Sequence, residues 1–237
     1  MSVNLTRFAR LSVTFLIAAV CAMAISCSAL SQPSPDKAFF AIDPGEPTPA
    51  VAPLPVAPAV TAPETSTAKT STTMPAGAVL QVRRLRVASP YDGKEFVYRT
   101  KTNEYRTDYY NGFIAAPDQS LTAALIAWIS RTGGTRFASV VDVASSIPPR
   151  YVLEGNVTSL YGDYADKASP KAVMAIKIFL FDDSDASGRV ILQKQYNASA
   201  PIDPGSAESL VKGWGNAYRQ ILEQLTADLD ATSSSGR

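Results

Sequence analysis

The sequence predicts an α+β fold, a two-layer sandwich in which a mostly antiparallel sheet carries two helices on one face. Three observations lead there. Apolar residues recur at helical spacing in two stretches, Ser120–Gly134 and Asp203–Leu229. β-rich segments come in runs before the first stretch and between the two, rather than alternating with helices, which argues for segregated layers. The chain of 237 residues is 46% hydrophobic and 18% charged, the balance of a globular protein with room for one large or two small domains.

The N-terminus reads as an export signal. Met1–Arg10 carries Arg7 and Arg10 and no acid, and an apolar run follows from Leu11 to Ile25. Fifteen residues fall short of the roughly 20 that span a bilayer, but suit a signal-peptide core. The run ends Ala24-Ile25-Ser26-Cys27, which resembles the bacterial lipobox; Val20 before Cys21 is too bulky for the cleavage position. The expectation is a signal peptide over 1–26 and an acylated Cys27 opening a lipidated N-terminus over 27–36. Cys21 then leaves with the peptide, so no disulfide forms. Several acyl chains anchor firmly where one is marginal. Ser28, in place of Asp, fits sorting to the outer membrane.

Within the mature chain, "AFFAI" (Ala38–Ile42) predicts a short first strand, placed in a segment 37–43. Residues 44–77 are rich in Pro, Ala and Thr and read as a disordered insertion that buries too little to offset its ordering entropy. The main domain spans 78–230. Val79–Ser89 is β-rich, with an apolar phase slip between Val82 and Leu85 that suggests a bulge. Glu95–Thr100 and Glu104–Tyr110 flank Lys101-Thr102-Asn103 as a hairpin would. In the first helical stretch Leu121, Ala124, Leu125, Trp128 and Ile129 share a face, with Pro117-Asp118 as start and Gly133-Gly134 as stop. Three strands follow. Arg150–Tyr164 alternates with Tyr151, Leu153, Val157 and Tyr161 on one side; Lys171–Asp183 is apolar on both sides, as a central strand is; Arg189–Ser199 is half polar and nearer an edge. The last helix aligns Leu210, Val211, Trp214, Tyr218, Ile221, Leu222 and Leu225, with Asp203 as N-cap, Pro204 at the first helical position, and Gly213 and Gly215 calling for a packing reason. Residues 231–237 read as a disordered tail.

Composition narrows the chemistry. The chain has no histidine, which removes His-based acid–base catalysis, Ser-His and Cys-His dyads, and His-ligated metals. Without Arg7 and Arg10, 20 basic residues face 21 acidic ones, so nucleic acid is not an expected partner. Asp183, Asp185, Ser187 and Gly188 match early positions of a calcium loop and Val190 suits its eighth, but Lys194 stands where the bidentate Glu is required; the same residues suit a hairpin turn. Ser209–Lys212, Ser34–Lys37 and Ser66–Lys69 each match S-x-x-K without its companion motifs. No metal or cofactor is expected.

Ser89–Leu125 resembles the ABC-type transport auxiliary lipoproteins that accompany MCE-domain (mammalian cell entry) and paraquat-inducible lipid-transport systems. Pro90-Tyr91-Asp92 and Val97-Tyr98-Arg99 match the first part of that pattern; Tyr109, Tyr110 and Pro117 match the second. "AFFAI" resembles the family's aromatic first strand, and Arg150–Tyr164 its alternating strand with a central glycine. Phe113 stands where the family prefers Trp, and the Pro/Thr insertion is longer than expected. The resemblance implies a non-enzymatic docking lipoprotein on the periplasmic face of the outer membrane. Its implied partners are an MCE-domain protein of the complex and, in a homo-oligomeric ring, copies of itself. Candidate contacts are Arg83, Arg84, Arg86, Tyr91, Arg99, Tyr109 and Tyr110, since arginine and aromatics dominate interface hot spots; Lys94, Lys101 and Arg106 add charge, and Tyr98 and Tyr105 add rings. Two alternatives remain. One is an envelope tether using the Pro/Thr segment for reach, which needs "AFFAI" unpaired. The other is a hydrolase working with carboxylates alone, for which Asp92, Glu95, Asp108 and Glu154 are the candidates.

Overall fold

The protein was analysed as a computed structural model that describes residues 36–47, 77–132, 136–184 and 188–234. Cys27, the signal segment and nearly all of the Pro/Thr segment lie outside them. The described elements run β1 (Ala38–Phe40), β2 (Ala78–Val82), β3 (Arg86–Val87), β4 (Glu95–Lys101), β5 (Glu104–Phe113), α1 (Pro117–Thr132), β6 (Phe137–Val141), β7 (Tyr151–Asp163), β8 (Lys171–Asp182), β9 (Arg189–Pro201) and α2 (Ala207–Ser234). Two helices and one large sheet make an α+β fold.

Strand β7 organises the sheet. One edge pairs antiparallel with β8, which in turn pairs with β9. Three strands share its other edge end to end, all parallel: β2 beside Tyr151–Leu153, β3 beside Asn156–Val157 and β4 beside Gly162–Asp163. Beyond β2 lies β6, parallel; beyond β4 lie β5, antiparallel, and then β1, parallel. The sheet is therefore mixed: the long ladders are antiparallel, and the parallel ones hold two to four residue pairs each.

Several sequence expectations change in detail. The run Val79–Ser89 is two strands and not one bulged strand. Leu85 turns into the core between them, its backbone N–H donating to Thr122 Oγ1 at 2.9 Å. Gly155 makes room for this turn, because a Cβ there would press on the Leu85 and Ile178 side chains. Strand β6 was not foreseen at all, being short and half-exposed. On β7 the register shifts between Val157 and Ser159. Tyr151, Leu153 and Val157 stay in the core, Leu160 replaces Tyr161 there, and Tyr161 turns to the opposite side.

Both helical stripes are buried as their spacing predicts: Leu121, Leu125, Trp128 and Ile129 on α1, and Leu210, Val211, Trp214, Tyr218, Ile221, Leu222 and Leu225 on α2. The helices lie against each other. Tyr218 donates to the Leu121 carbonyl at 2.7 Å and Trp128 Nε1 to Thr226 Oγ1 at 3.1 Å. Trp214 packs on Phe96 and Phe113, ring centroids 5.1 and 5.3 Å away. The N-cap of α2 is Ser206 rather than Asp203: its Oγ accepts the Ser209 N–H at 3.1 Å. Pro204 and Gly205 form the turn before it, and at its other end α2 continues to Ser234, into the stretch expected to be a tail from residue 231.

The two glycines of α2 have their packing reason. A Cβ at Gly213 would lie 2.5 Å from Ile202 Cγ2 and 2.8 Å from Ala172 Cβ. At Gly215 it would collide with the backbone of Asp43. The chain leaving β1 is thus pressed onto α2, where Arg219 Nε donates to the Pro44 carbonyl at 2.6 Å. Strand β1 pairs with β5 from Ala38 to Phe40, so residues 48–76 connect two strands of one sheet.

Candidate partner-binding face

Alternation on β8 divides the sheet into two faces. Ala172, Met174, Ile176, Ile178 and Leu180 are buried in the core with the helices. Val173, Lys177, Phe179 and Phe181 point the other way and are only half-buried. The register places Gln193, Gln195, Asn197 and Ser199 of β9 beside them, and Glu154, Asn156, Ser159 and Tyr161 of β7. This outer face carries two grooves.

The first, of about 430 Å³, is lined by Arg99, Tyr161, Asp163, Lys171, Val173 and Asn197 among others. Arg99 grips Asp163 with two hydrogen bonds, Nε to Oδ1 at 3.1 Å and a terminal nitrogen to Oδ2. Those bonds, with the Ala165 N–H, hold the Asp163 carboxyl below the usual carboxylate range. The guanidinium carbon also sits 5.4 Å from the Tyr161 ring centroid, within cation–π range. Tyr91 and Tyr105 pack on the same ring at 6.0 and 5.7 Å. Burial, followed by the neighbouring Tyr105, pushes the Tyr91 hydroxyl up to about 12.

The second groove, of about 260 Å³, is lined by Arg83, Arg84, Arg86, Glu154, Gly155, Asn156 and Phe179. Arg83 pairs with Glu154, and Arg84 Nε lies 2.7 Å from Asp118 in the first turn of α1. Arg86 is exposed opposite Asn156. Glu154 and Asp118 each hold one arginine, so three arginines against two carboxylates leave this groove locally cationic.

The sequence-derived candidates therefore separate into three groups. Arg83, Arg84 and Arg86 line one groove; Arg99 lines the other, where Tyr91 packs on the Tyr161 ring. Tyr109 and Tyr110 stand apart at the β1–β5 edge, their rings packed edge to face at 5.1 Å. The remaining candidate cations have local hydrogen-bond or ion-pair partners. Lys101 and Arg106 both bind Glu104, whose carboxyl they hold down at about 2, and Lys94 donates to the Ile114 carbonyl. Tyr98 donates to Asp108 at 2.7 Å. Cys27 lies outside the described residues. Sequence reasoning missed Tyr161, Asp163, Lys171 and Phe179; the outward phase of β8 could have exposed Lys171 and Phe179, whereas Tyr161 and Asp163 of β7 reach this face through the register shift.

The catalytic carboxylate candidates are spread over the surface, with Asp92 exposed in the loop before β4. Glu154 is engaged by Arg83. Glu95 and Asp108 line one shallow depression of about 40 Å³. Burial raises the Asp108 carboxyl, but hydrogen bonds from Asn111, Tyr98 and the Tyr110 and Asn111 amides overcome it and keep the group ionised. Of the calcium-like loop, Asp185 and Ser187 lie outside the described residues, and Lys194 binds Asp228 of α2 at 2.7 Å. Among the described residues no group of three or more Asp, Glu or Cys side chains could hold a metal ion, and no helix is long and apolar enough to cross a membrane.

Residues 60–229 match the model of the ABC-type transport auxiliary lipoprotein component family. The chain belongs to that family. Its fold is similar to that of protein XCC0632 from Xanthomonas campestris: 18% identity, TM-score 0.60, covering 69% of this chain and 89% of that one. A second solved structure, of an uncharacterized protein, shares 18% identity at TM-score 0.54 over 67% of this chain and 96% of the other. No protein of curated function matches the chain.

Proposed function

We propose that this chain is the docking lipoprotein of an MCE-type lipid-transport complex driven by an ABC transporter, held on the periplasmic face of the outer membrane by acyl chains on Cys27. It works without catalysis. The observation that carries the reading is the pairing of family membership over residues 60–229 with an outer sheet face that bears two grooves, one holding Arg99 and Tyr161 and the other Arg83, Arg84, Arg86 and Phe179. Such a face suits capture of a protein surface: arginine and tyrosine supply hot spots, and exposed ion pairs set orientation more than affinity. Copies of the chain around a symmetric partner would form a homo-oligomeric ring.

The test is affinity purification of the tagged lipoprotein from gently solubilised membranes, followed by mass spectrometry. Recovery of an MCE-domain protein with its permease and ATPase is the expected result. Reproducible recovery of an unrelated envelope assembly, with no MCE-domain protein, would overturn the proposal. The tether alternative requires an unpaired first strand, whereas β1 is hydrogen-bonded to β5.

A further inference from the structure

The strand β1 edge carries a cluster of exposed apolar side chains that the docking face does not use. Phe39 is 59% exposed, Tyr109 68%, Tyr110 44% and Ile114 63%. They are neighbours. Phe39 stands opposite Gly112 in the β1–β5 register, and the Ile114 N–H donates to the Phe40 carbonyl at 2.8 Å. Phe39, Tyr109 and Tyr110 line one depression together with Lys37 and Lys94. Lys37 Nζ sits 4.1 Å from the Tyr109 ring centroid, and Lys94 Nζ reaches the Ile114 carbonyl at 3.2 Å. Two acids share the rim, Glu95 and the internally bonded Asp108, so the cluster is close to neutral.

We propose that this edge is a membrane-contact surface that inserts Phe39, Tyr109, Tyr110 and Ile114 into the headgroup layer of a phospholipid bilayer. Exposed apolar side chains this closely grouped mark an interaction site. Tyrosine and phenylalanine rings with ammonium groups beside them match the chemistry of that layer, where aromatic rings sit at headgroup depth and lysines meet phosphates. The position in the chain selects lipid as the occupant. Lys37 is ten residues after Cys27, a span of about 35 Å at full extension. An acylated Cys27 therefore keeps this edge within reach of the bilayer. The inference rests on the reading of Cys27 as the anchor.

The experiment uses the full lipoprotein purified from membranes and reconstituted in vesicles of phosphatidylethanolamine and phosphatidylglycerol, three to one. Intact mass first reads whether Cys27 is acylated. An environment-sensitive label is then placed by Tyr110→Cys, with Gln193→Cys on the outer face as control, and quenching by brominated lipid is measured. Several-fold stronger quenching at 110 than at 193, reduced to the control level by Phe39→Ser with Tyr109→Ser at unchanged melting temperature, is the expected result. Equal quenching at both positions in acylated protein overturns the proposal. So does a label at 110 that is shielded from water by a copurifying protein and unquenched by lipid. If the mass shows an unmodified Cys27, the anchor reading fails by itself. Flotation of that same protein with the vesicles then decides the edge: loss of about tenfold in the double variant supports it, and no flotation of the parent overturns it.

Discussion

Strands β7 and β8 present two faces of opposite character. On one, Leu153, Val157, Met174, Ile176, Ile178 and Leu180 vanish beneath α1 and α2. On the other, Glu154, Asn156, Lys177 and Phe179 stay accessible and line or flank grooves. The same backbone thus stabilises the domain with alternate residues and offers a recognition surface with those between. Because side chains on a strand point alternately to either side, the two roles can be changed independently. Substitutions on the covered face should cost stability, and those on the outer face should cost partner capture.

The largest effect is expected on the covered face. Trp214→Ala empties the space against Phe96 and Phe113 and drops a hydrogen bond to the Tyr161 carbonyl; urea unfolding should show a loss of about 3–5 kcal/mol. Next comes Gly215→Ala, which drives a methyl group into the Asp43 backbone. Overpacking of this kind costs about 1–3 kcal/mol, and faster amide exchange should appear first in residues 38–45.

The Arg99–Asp163 pair lies between the two regimes, its arginine partly exposed and its aspartate nearly buried. Asp163→Asn should cost about 1–2 kcal/mol at neutral pH, between the values for exposed and buried pairs. The Asp163 carboxyl is held below its usual value in the folded state. Its contribution is therefore complete above the unfolded value near 4 and fades as pH falls through the lower folded value. The gap between parent and variant should stay constant from pH 8 to 5 and close progressively below pH 4. A gap that widened in acid would mean that the pair is not the source.

The smallest effect on stability is expected from Arg83→Ala combined with Arg86→Ala on the outer face. Surface changes of this type stay within about 0.5 kcal/mol of the parent, whereas recovery of the partner complex should fall severalfold. Unfolding and copurification measured on one preparation would erase the distinction between the faces if both moved together.

Much of the covered face was legible in the sequence. The helical stripes of α1 and α2 needed only spacing, and every residue placed on the α2 stripe is buried. The β4–β5 hairpin followed from its flanking strands and turn. What sequence could not supply was register. The shift at Val157–Ser159 sends Tyr161 outward, and only that turn brings it against Arg99, Tyr91 and Tyr105. The split of Val79–Ser89 into two stubs depends on Leu85 meeting Thr122 of α1, a contact 37 residues away in the chain. The arginine cluster was visible as composition, but its division into paired and exposed members depends on Glu154 and Asp118, which the linear sequence keeps far away. Sites assembled from the outward-facing residues of several strands are hidden in the linear sequence, because strand pairing and register decide which residues meet.

The clasp of residues 43–45 on α2 has a mechanical consequence. Traction on the chain ahead of Lys37 would meet the three-residue ladder of β1 first, and then the bond from Arg219 to the Pro44 carbonyl and the seat of Asp43 on Gly215. The next strand, β2, lies between β6 and β7 on a different part of the sheet. A tug on the leading segment would therefore peel off one short strip and its buckle before any load reached the strands that line the grooves.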